Sequence, residues 1–206
     1  MRKNILMILA VLAMCTNAEA QSLWDKSKPD HNFTFGLRAG MNFASTDMDY
    51  ATSTRMGFHG GVTVDWNIVK SLSVSSGLSY VNKGFKSSFG KGEAGYLQVP
   101  LMLSYRIETP TKVSFQFNVG PYFAWGVNGK VRYSPYDETF AYDYNQKTFG
   151  KKGFFKHLDS GLTAGAYIVI SHALFGVSYE YGFADIAKVY GKFHNRNVCA
   201  TLGYNF

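Results

Sequence analysis

Four charged residues, Arg38, Asp65, Arg106 and Glu180, fall in rows that otherwise hold glycine and small or neutral polar side chains. Ser178 and Glu180 stand two positions apart with His172 a short way before them, a set that a lipid-acting hydrolase could use as nucleophile, acid and base. In an alternating segment, however, residues two apart share one face. Ser178 and Glu180 then lie beside Gly176 and Gly182, as in a packed polar network rather than a reactive site. The five histidines, at 31, 59, 157, 172 and 194, lack the paired or helical spacing of metal ligands. No phosphate-binding glycine loop, zinc motif or nucleophile elbow is present. The expectation is a protein that is not an enzyme and uses neither cofactor nor metal.

The segments that carry these residues repeat one pattern from His31 onward. Over 32–43, Phe33, Phe35, Leu37, Ala39, Met41 and Phe43 alternate with Thr34, Gly36, Arg38, Gly40 and Asn42. Period-two alternation of this kind predicts half-buried β-strands. The same contrast recurs over about 56–68, 71–82, 95–106, 112–125, 159–170, 173–183 and 195–206, so eight strands are expected. An aromatic share of 17% and 21 glycines agree with β structure.

Before the first strand, Arg2 and Lys3, the apolar run Ile5 to Met14 and Ala18-Glu19-Ala20 have the form of a cleaved signal peptide. The expected division is a signal peptide over 1–20 and a barrel domain over 21–206. Cys15 raises the rival reading of a lipid attachment site, against which stands the bulky Met14. Cleavage at Ala20 leaves Cys199 alone, so no intramolecular disulfide can form. It also leaves 19 basic against 13 acidic residues, scattered along the chain, which reads as a solvated basic surface and not as a nucleic-acid site.

Alternation by itself suits two architectures. A lipocalin-like barrel turns its apolar rows inward, whereas an outer-membrane barrel turns them to lipid. Link length separates the two, since outer-membrane barrels join their strands by short turns on the periplasmic side and longer loops outside. Long links are expected near 44–55, 83–95, 126–158 and 184–194, and short ones near 69–70, 107–111 and 171–172. The apolar rows end in Phe33, Trp66, Tyr105 and Phe206 on one side and in Phe43, Phe58, Tyr80, Phe123 and Trp125 on the other, like two aromatic girdles. The fold expected is therefore all-β, an eight-stranded antiparallel up-and-down transmembrane β-barrel in the outer membrane, with both termini periplasmic.

An eight-stranded lumen is narrow enough to be filled by side chains. Arg38, His59, Asp65, Gln98, Arg106, Gln116, Asn118 and Glu180 all point into it on this reading. Charges buried there must pair or meet trapped water. A polar network without an open channel follows.

One strand, "GYLQVPLMLSY" at 95–105, contains Pro100, which has no N–H for a ladder. If Thr109-Pro110 closes the hairpin, paired residues sum to about 219, and Pro100 and Pro121 fall in one patch. A bulge or weakened rung is expected there, with its carbonyls taken by Gln98, Gln116 or Asn118. "YLQVP" followed by "LMLSY" also resembles the tyrosine-leucine-x-x-proline strand of the PorT-like family of outer-membrane β-barrels. "GLRAGMNFA" at 36–44, "NVGPYFAWG" at 118–126 and "YEYGFADI" at 179–186 resemble other strands of that family in order, and the chain ends in the aromatic Tyr204-Asn205-Phe206. The resemblance implies an OmpA-like or opacity-like small barrel, some of whose relatives serve a secretion apparatus.

The segment 127–159 is the one most suited to a partner, because long loops in compact domains are commonly functional. Its Tyr133, Tyr136, Tyr142, Tyr144, Phe154 and Phe155 are mixed with Lys151 and Lys152, which suits protein or anionic lipopolysaccharide contacts. The function expected is a structural or interaction role at the outer membrane, accessory to secretion or envelope assembly, in contact with membrane lipid and lipopolysaccharide. The alternative is a narrow porin or a small-solute or lipid-binding barrel.

Overall fold

The computed structural model describes residues 24–47, 52–87, 90–110, 112–133, 144–150, 153, 155–186 and 194–206. The expected signal peptide lies outside them. The strands, in chain order, are β1 (Phe33–Asp47), β2 (Thr52–Ser53), β3 (Arg55–Val69), β4 (Leu72–Ser87), β5 (Gly90–Glu108), β6 (Val113–Asn128), β7 (Lys130–Tyr133), β8 (Tyr144–Lys147), β9 (Leu158–Ile170), β10 (Ala173–Gly182) and β11 (His194–Asn205). Eight of them, β1, β3, β4, β5, β6, β9, β10 and β11, are antiparallel staves, and β1 pairs with both β3 and β11. That last pairing closes the sheet into a barrel.

Exposure shows which way the alternating rows face. On β3, Phe58, Val62 and Trp66 are 56%, 53% and 54% exposed, whereas Asp65 is 2% exposed. The apolar rows therefore point outward on every stave, and the small and polar rows fill the interior. A soluble monomer does not expose an apolar band of this extent; lipid is the solvent that suits it. The lipocalin-like alternative is excluded by this orientation.

At the end that carries the termini, the staves are joined by the short links 70–71, 109–112 and 171–172, with Ser171 in the left-handed region at φ 56°. Trp24 stacks on Tyr105 at 5.7 Å, and Asp25 and Ser71 exchange backbone and side-chain hydrogen bonds. The chain thus folds across the β3–β4 turn before entering β1. Phe206 N–H donates to Phe35 O at 2.8 Å, which carries the β1–β11 seam to the last residue.

At the far end two expected links are replaced by strand. Between β4 and β5 the ladder runs out to Ser87 opposite Gly90, so only residues 88 and 89 separate the two strands where a loop over 83–95 was expected. The segment is rich in lysine and glycine, which reads as loop. A ladder above the apolar band needs only backbone partners, and so it continues regardless of side-chain type. Likewise the expected link 126–158 contains β7, paired to β5, and β8, paired to β7.

Around Pro100 the register differs from the expected one by three residues. Pro100 lies opposite Tyr122, so pairs sum to 222 rather than 219. Pairing between β5 and β6 skips Leu101 and Met102 and resumes at Leu103 opposite Val119 without a shift; the bulge of this strand pair sits at Gly95/Tyr96 instead. The weakened rung is present and the bulge at the prolines is not. The Pro100 carbonyl accepts from Ser76 Oγ at 2.8 Å, and Ser79 Oγ reaches Gln98 O at 3.4 Å. Serines on the adjacent stave are in reach of these carbonyls, so the lumen amides Gln98, Gln116 and Asn118 are not needed. Gly120 lets the two staves close across the gap: a Cβ there would press on the Leu101 carbonyl and stand 2.8 Å from Met102 Cα.

The outward orientation has a measurable consequence. Val62 lies midway between Phe58 and Trp66 on the outward row, so Val62→Arg should lower folding stability in lipid vesicles by about 2–4 kcal/mol. Equal stability of wild type and variant in urea titrations from vesicles would contradict a lipid-facing row.

Candidate functional site

The eight expected lumen residues occupy inward rows but do not form one cluster. Arg38 donates from Nη2 to Asn205 Oδ1 at 2.6 Å and from Nη1 to the Leu37 and Tyr204 carbonyls, and so fastens the β1–β11 seam. His59 Nε2 meets Thr201 Oγ1 at 3.1 Å. Gln116 donates to Asn118 Oδ1 at 3.0 Å, and Gln98 to Glu180 Oε1 at 2.6 Å. Asp65 is buried, and the guanidinium of Arg106 has two buried nitrogens without a hydrogen-bond partner among the described residues.

Between them lies a cavity of about 110 Å³, lined among others by Arg38, His59, Asp65, Gln98, Gln116 and Glu180. Four atoms of its lining, His59 Nδ1, Thr63 Oγ1, Gln98 Oε1 and Gln116 Oε1, have no hydrogen-bond partner among the described residues. Buried polar groups are rarely left unpaired, and a polar space of this size has room for several waters. The Ser178, Glu180 and His172 set does not assemble. Glu180 is engaged on the lumen side, and His172 lies in the turn at the terminal end, its Nδ1 donating to Asn205 O at 2.9 Å.

The strongest charged centre holds one of the expected residues, Glu180, with two that were not expected. Lys83, fully buried, places Nζ 3.0 Å from Glu180 Oε2 and 3.4 Å from Asp159 Oδ2. Asn197 donates to Glu180 Oε2 at 3.0 Å and Asn195 to Asp159 Oδ2 at 2.9 Å. The Tyr122 ring lies under the ammonium, 4.4 Å from its centroid. Lys83 falls at the start of the expected 83–95 link, and Asp159 at the very first position of the expected 159–170 strand. Extending the row Ser73, Ser75, Gly77, Ser79, Val81 by two residues reaches Lys83, and running Thr163, Gly161 backwards reaches Asp159. Period two held the signal; the polar, glycine-rich flank obscured it.

Above this triad the mouth is closed by an apolar plug. Ala94, Tyr96, Tyr122, Ala124, Phe149, Phe155 and Ile186 form one buried cluster. Phe149 lies on Gly126, where any Cβ would collide with its ring, and meets Tyr96 edge-on at 5.3 Å. The plug is hydrogen-bonded to the staves: Gly126 N–H donates to His157 O and His157 Nδ1 donates to Gly126 O, both at 2.7 Å. Lys156 N–H donates to Ile186 O at 2.8 Å, which joins the plug to the segment after β10.

The expected partner segment is thus divided. Phe155 is 4% exposed in the plug. Tyr133 and Tyr144 face each other in register on β7 and β8, and Tyr136, Tyr142, Lys151, Lys152 and Phe154 lie outside the described residues.

Breaking a buried ion pair leaves the remaining charge uncompensated, which costs about 3–5 kcal/mol. Lys83→Met should destabilise the barrel by that order, and adding Asp159→Asn and Glu180→Gln should restore much of the loss. A single variant as stable as wild type in reversible urea unfolding would show that the triad carries no such weight.

A family model described as "Outer membrane protein beta-barrel domain" matches residues 19–188. No curated protein matches the sequence. Among solved structures, Ail, the attachment invasion locus protein of Yersinia pestis, is 15% identical, with 85% of this chain and 100% of that chain covered at a TM-score of 0.50. Neisserial surface protein A is 10% identical, with 85% and 98% covered at 0.49. The outer membrane protein OprG from Pseudomonas aeruginosa is 14% identical, with 89% and 98% covered at 0.46. Likeness at such identities is one of fold.

Proposed function

The chain belongs to the outer membrane protein β-barrel domain family, and from that premise we propose that it is a closed-lumen barrel with a structural and interaction role, accessory to protein secretion or envelope assembly. The observation that carries this reading is the blocked mouth: Lys83 is fully buried between Asp159 and Glu180, beneath a plug of Tyr96, Tyr122, Phe149 and Phe155. An ion passing through would have to displace both. With the lumen closed, activity falls to the surfaces, and the β7–β8 ribbon, which stands beyond the barrel at the far end, is the one most accessible to envelope or secretion proteins.

The ordered PorT-like segments, with "YLQVP" on β5 and "NVGPYFAWG" on β6, support the accessory role. In this reading both termini are periplasmic, the ribbon is outside, outer-membrane lipid and lipopolysaccharide surround the barrel, and no reaction is catalysed. The separation of Ser178 and Glu180 from His172 supports the last point. A narrow porin or small-solute binder is the second reading, favoured by the polar mid-barrel chamber of about 110 Å³.

Planar bilayers decide between them. The refolded full chain should give no stepwise conductance, while a Phe149→Ala/Phe155→Ala/Lys83→Ser variant should show at least brief openings. Stable wild-type conductance would overturn the closed-lumen reading. In intact cells a protease site placed at 136–142 should be cut from outside and a C-terminal tag should not; the reverse pattern would overturn the orientation.

A further inference from the structure

The far-end ribbon has two different faces. Val131 turns inward and is 3% exposed, beside the plug. The opposite face carries cations in register: Lys86 on β4 lies opposite Lys91 on β5, and Lys91 lies opposite Arg132 on β7. In the next row Lys130 on β7 lies opposite Lys147 on β8. Lys86, Lys130, Arg132 and Lys147 are exposed.

Like charges directly opposite one another destabilise a strand pair. Here five basic positions adjoin on one face, and among the described residues no ion pair engages Lys86, Lys130, Arg132 or Lys147. The nearby acid, Glu93, is taken up by Arg55 at 3.2 Å. An arrangement that opposes folding by itself is complementary to an external anion with several charges.

Height selects the anion. Trp125, 56% exposed, belongs to the outward aromatic row of β6. Lys130 and Arg132 follow it by five and seven residues, which is about 16–23 Å along the strand at about 3.3 Å per residue. A strand tilt of about 45° reduces this to about 12–16 Å above the aromatic level. The headgroup layer of an ordinary phospholipid bilayer is only about 5–8 Å thick on each side, too thin to bring its phosphates to these rows. A headgroup that extends further, built of sugars bearing phosphates, reaches them.

We propose that the outward face of the ribbon, through Lys86, Arg132, Lys130 and Lys147, binds the phosphorylated-sugar headgroup of an outer-leaflet glycolipid. The assignment rests on the orientation proposed above, with the ribbon outside, and specifies which lipid that face holds. Bound phosphates would bridge opposed cations from strand to strand and remove the repulsion across β4, β5, β7 and β8. The ribbon would then be firmest where such a lipid surrounds the barrel.

The test uses the full chain refolded in zwitterionic detergent and titrated with purified lipopolysaccharide, with the same material after chemical dephosphorylation, and with phosphatidylglycerol. Phosphorylated lipopolysaccharide should bind at least tenfold more tightly than either control, with affinity falling as salt rises. Replacing these four residues by serine should remove at least tenfold of that affinity, while the mobility shift between boiled and unboiled samples, which reports the folded barrel, stays as in wild type. Equal binding by the serine variant, or equal binding of dephosphorylated material or of phosphatidylglycerol, would overturn the proposal. Should the serine variant not fold, Lys130→Ser/Lys147→Ser and Lys86→Ser/Arg132→Ser are measured separately, and each should lose at least threefold. Conductance through a protein that still binds lipopolysaccharide would sink the closed-lumen reading alone, and a closed barrel without binding would sink this one alone.

Discussion

A chain in hydrocarbon finds no water for its backbone N–H and C=O groups, and that constraint governs everything else in this barrel. Only a sheet without edges meets it. The seam between β1 and β11 is therefore as important as any hairpin, although its strands are the first and last in the chain. Arg38 spans that seam, bonded to Asn205 and to the Leu37 and Tyr204 carbonyls, and Phe206 extends it by one more backbone bond to Phe35. An inward arginine here is thus a closing element as well as a lumen charge. The aromatic C-terminus serves the same closure from the other strand.

Closure with eight staves sets the width of the interior, and width then sets its chemistry. The lumen admits side chains but not an apolar core, because the apolar rows are committed to lipid. Its polar groups must satisfy one another, and they do so unevenly. At the far end the satisfaction is dense: Lys83 meets two carboxylates, which in turn accept from Gln98, Asn195 and Asn197. In the middle several acceptors face a hydrated chamber instead. The Lys83 ion pairs thus lie directly beneath the apolar plug, at the desolvated end.

The weakened rung at Pro100 shows how the constraint is met locally. Two prolines in adjacent staves remove two ladder donors and would leave carbonyls unpaired at mid-membrane. The Ser76 hydroxyl supplies a donor to the Pro100 carbonyl, and Gly120 allows the backbones to approach without a bulge. The ladder is interrupted while its register is preserved, so the inward and outward rows keep their faces on both sides of the gap. A bulge would have turned one row from lipid to lumen.

Alternation along each segment was sufficient to determine the eight staves and the membership of each row, because a period of two is a local property of the chain. It also placed Arg38, His59, Asp65, Gln98, Arg106, Gln116, Asn118 and Glu180 on inward rows. Link lengths pointed to lipid on the apolar face, and only the tertiary structure decided which of those residues touch. Contact across a lumen depends on stagger between strands remote in sequence: Lys83 and Glu180 are nearly a hundred positions apart, and a three-residue difference in hairpin register moves Pro100 from Val119 to Tyr122. The plug was beyond local reading for the same reason. Phe149 and Phe155 look like loop aromatics until the chain returns over the mouth, and the return is set by hydrogen bonds to Gly126 and Ile186 that no local pattern encodes.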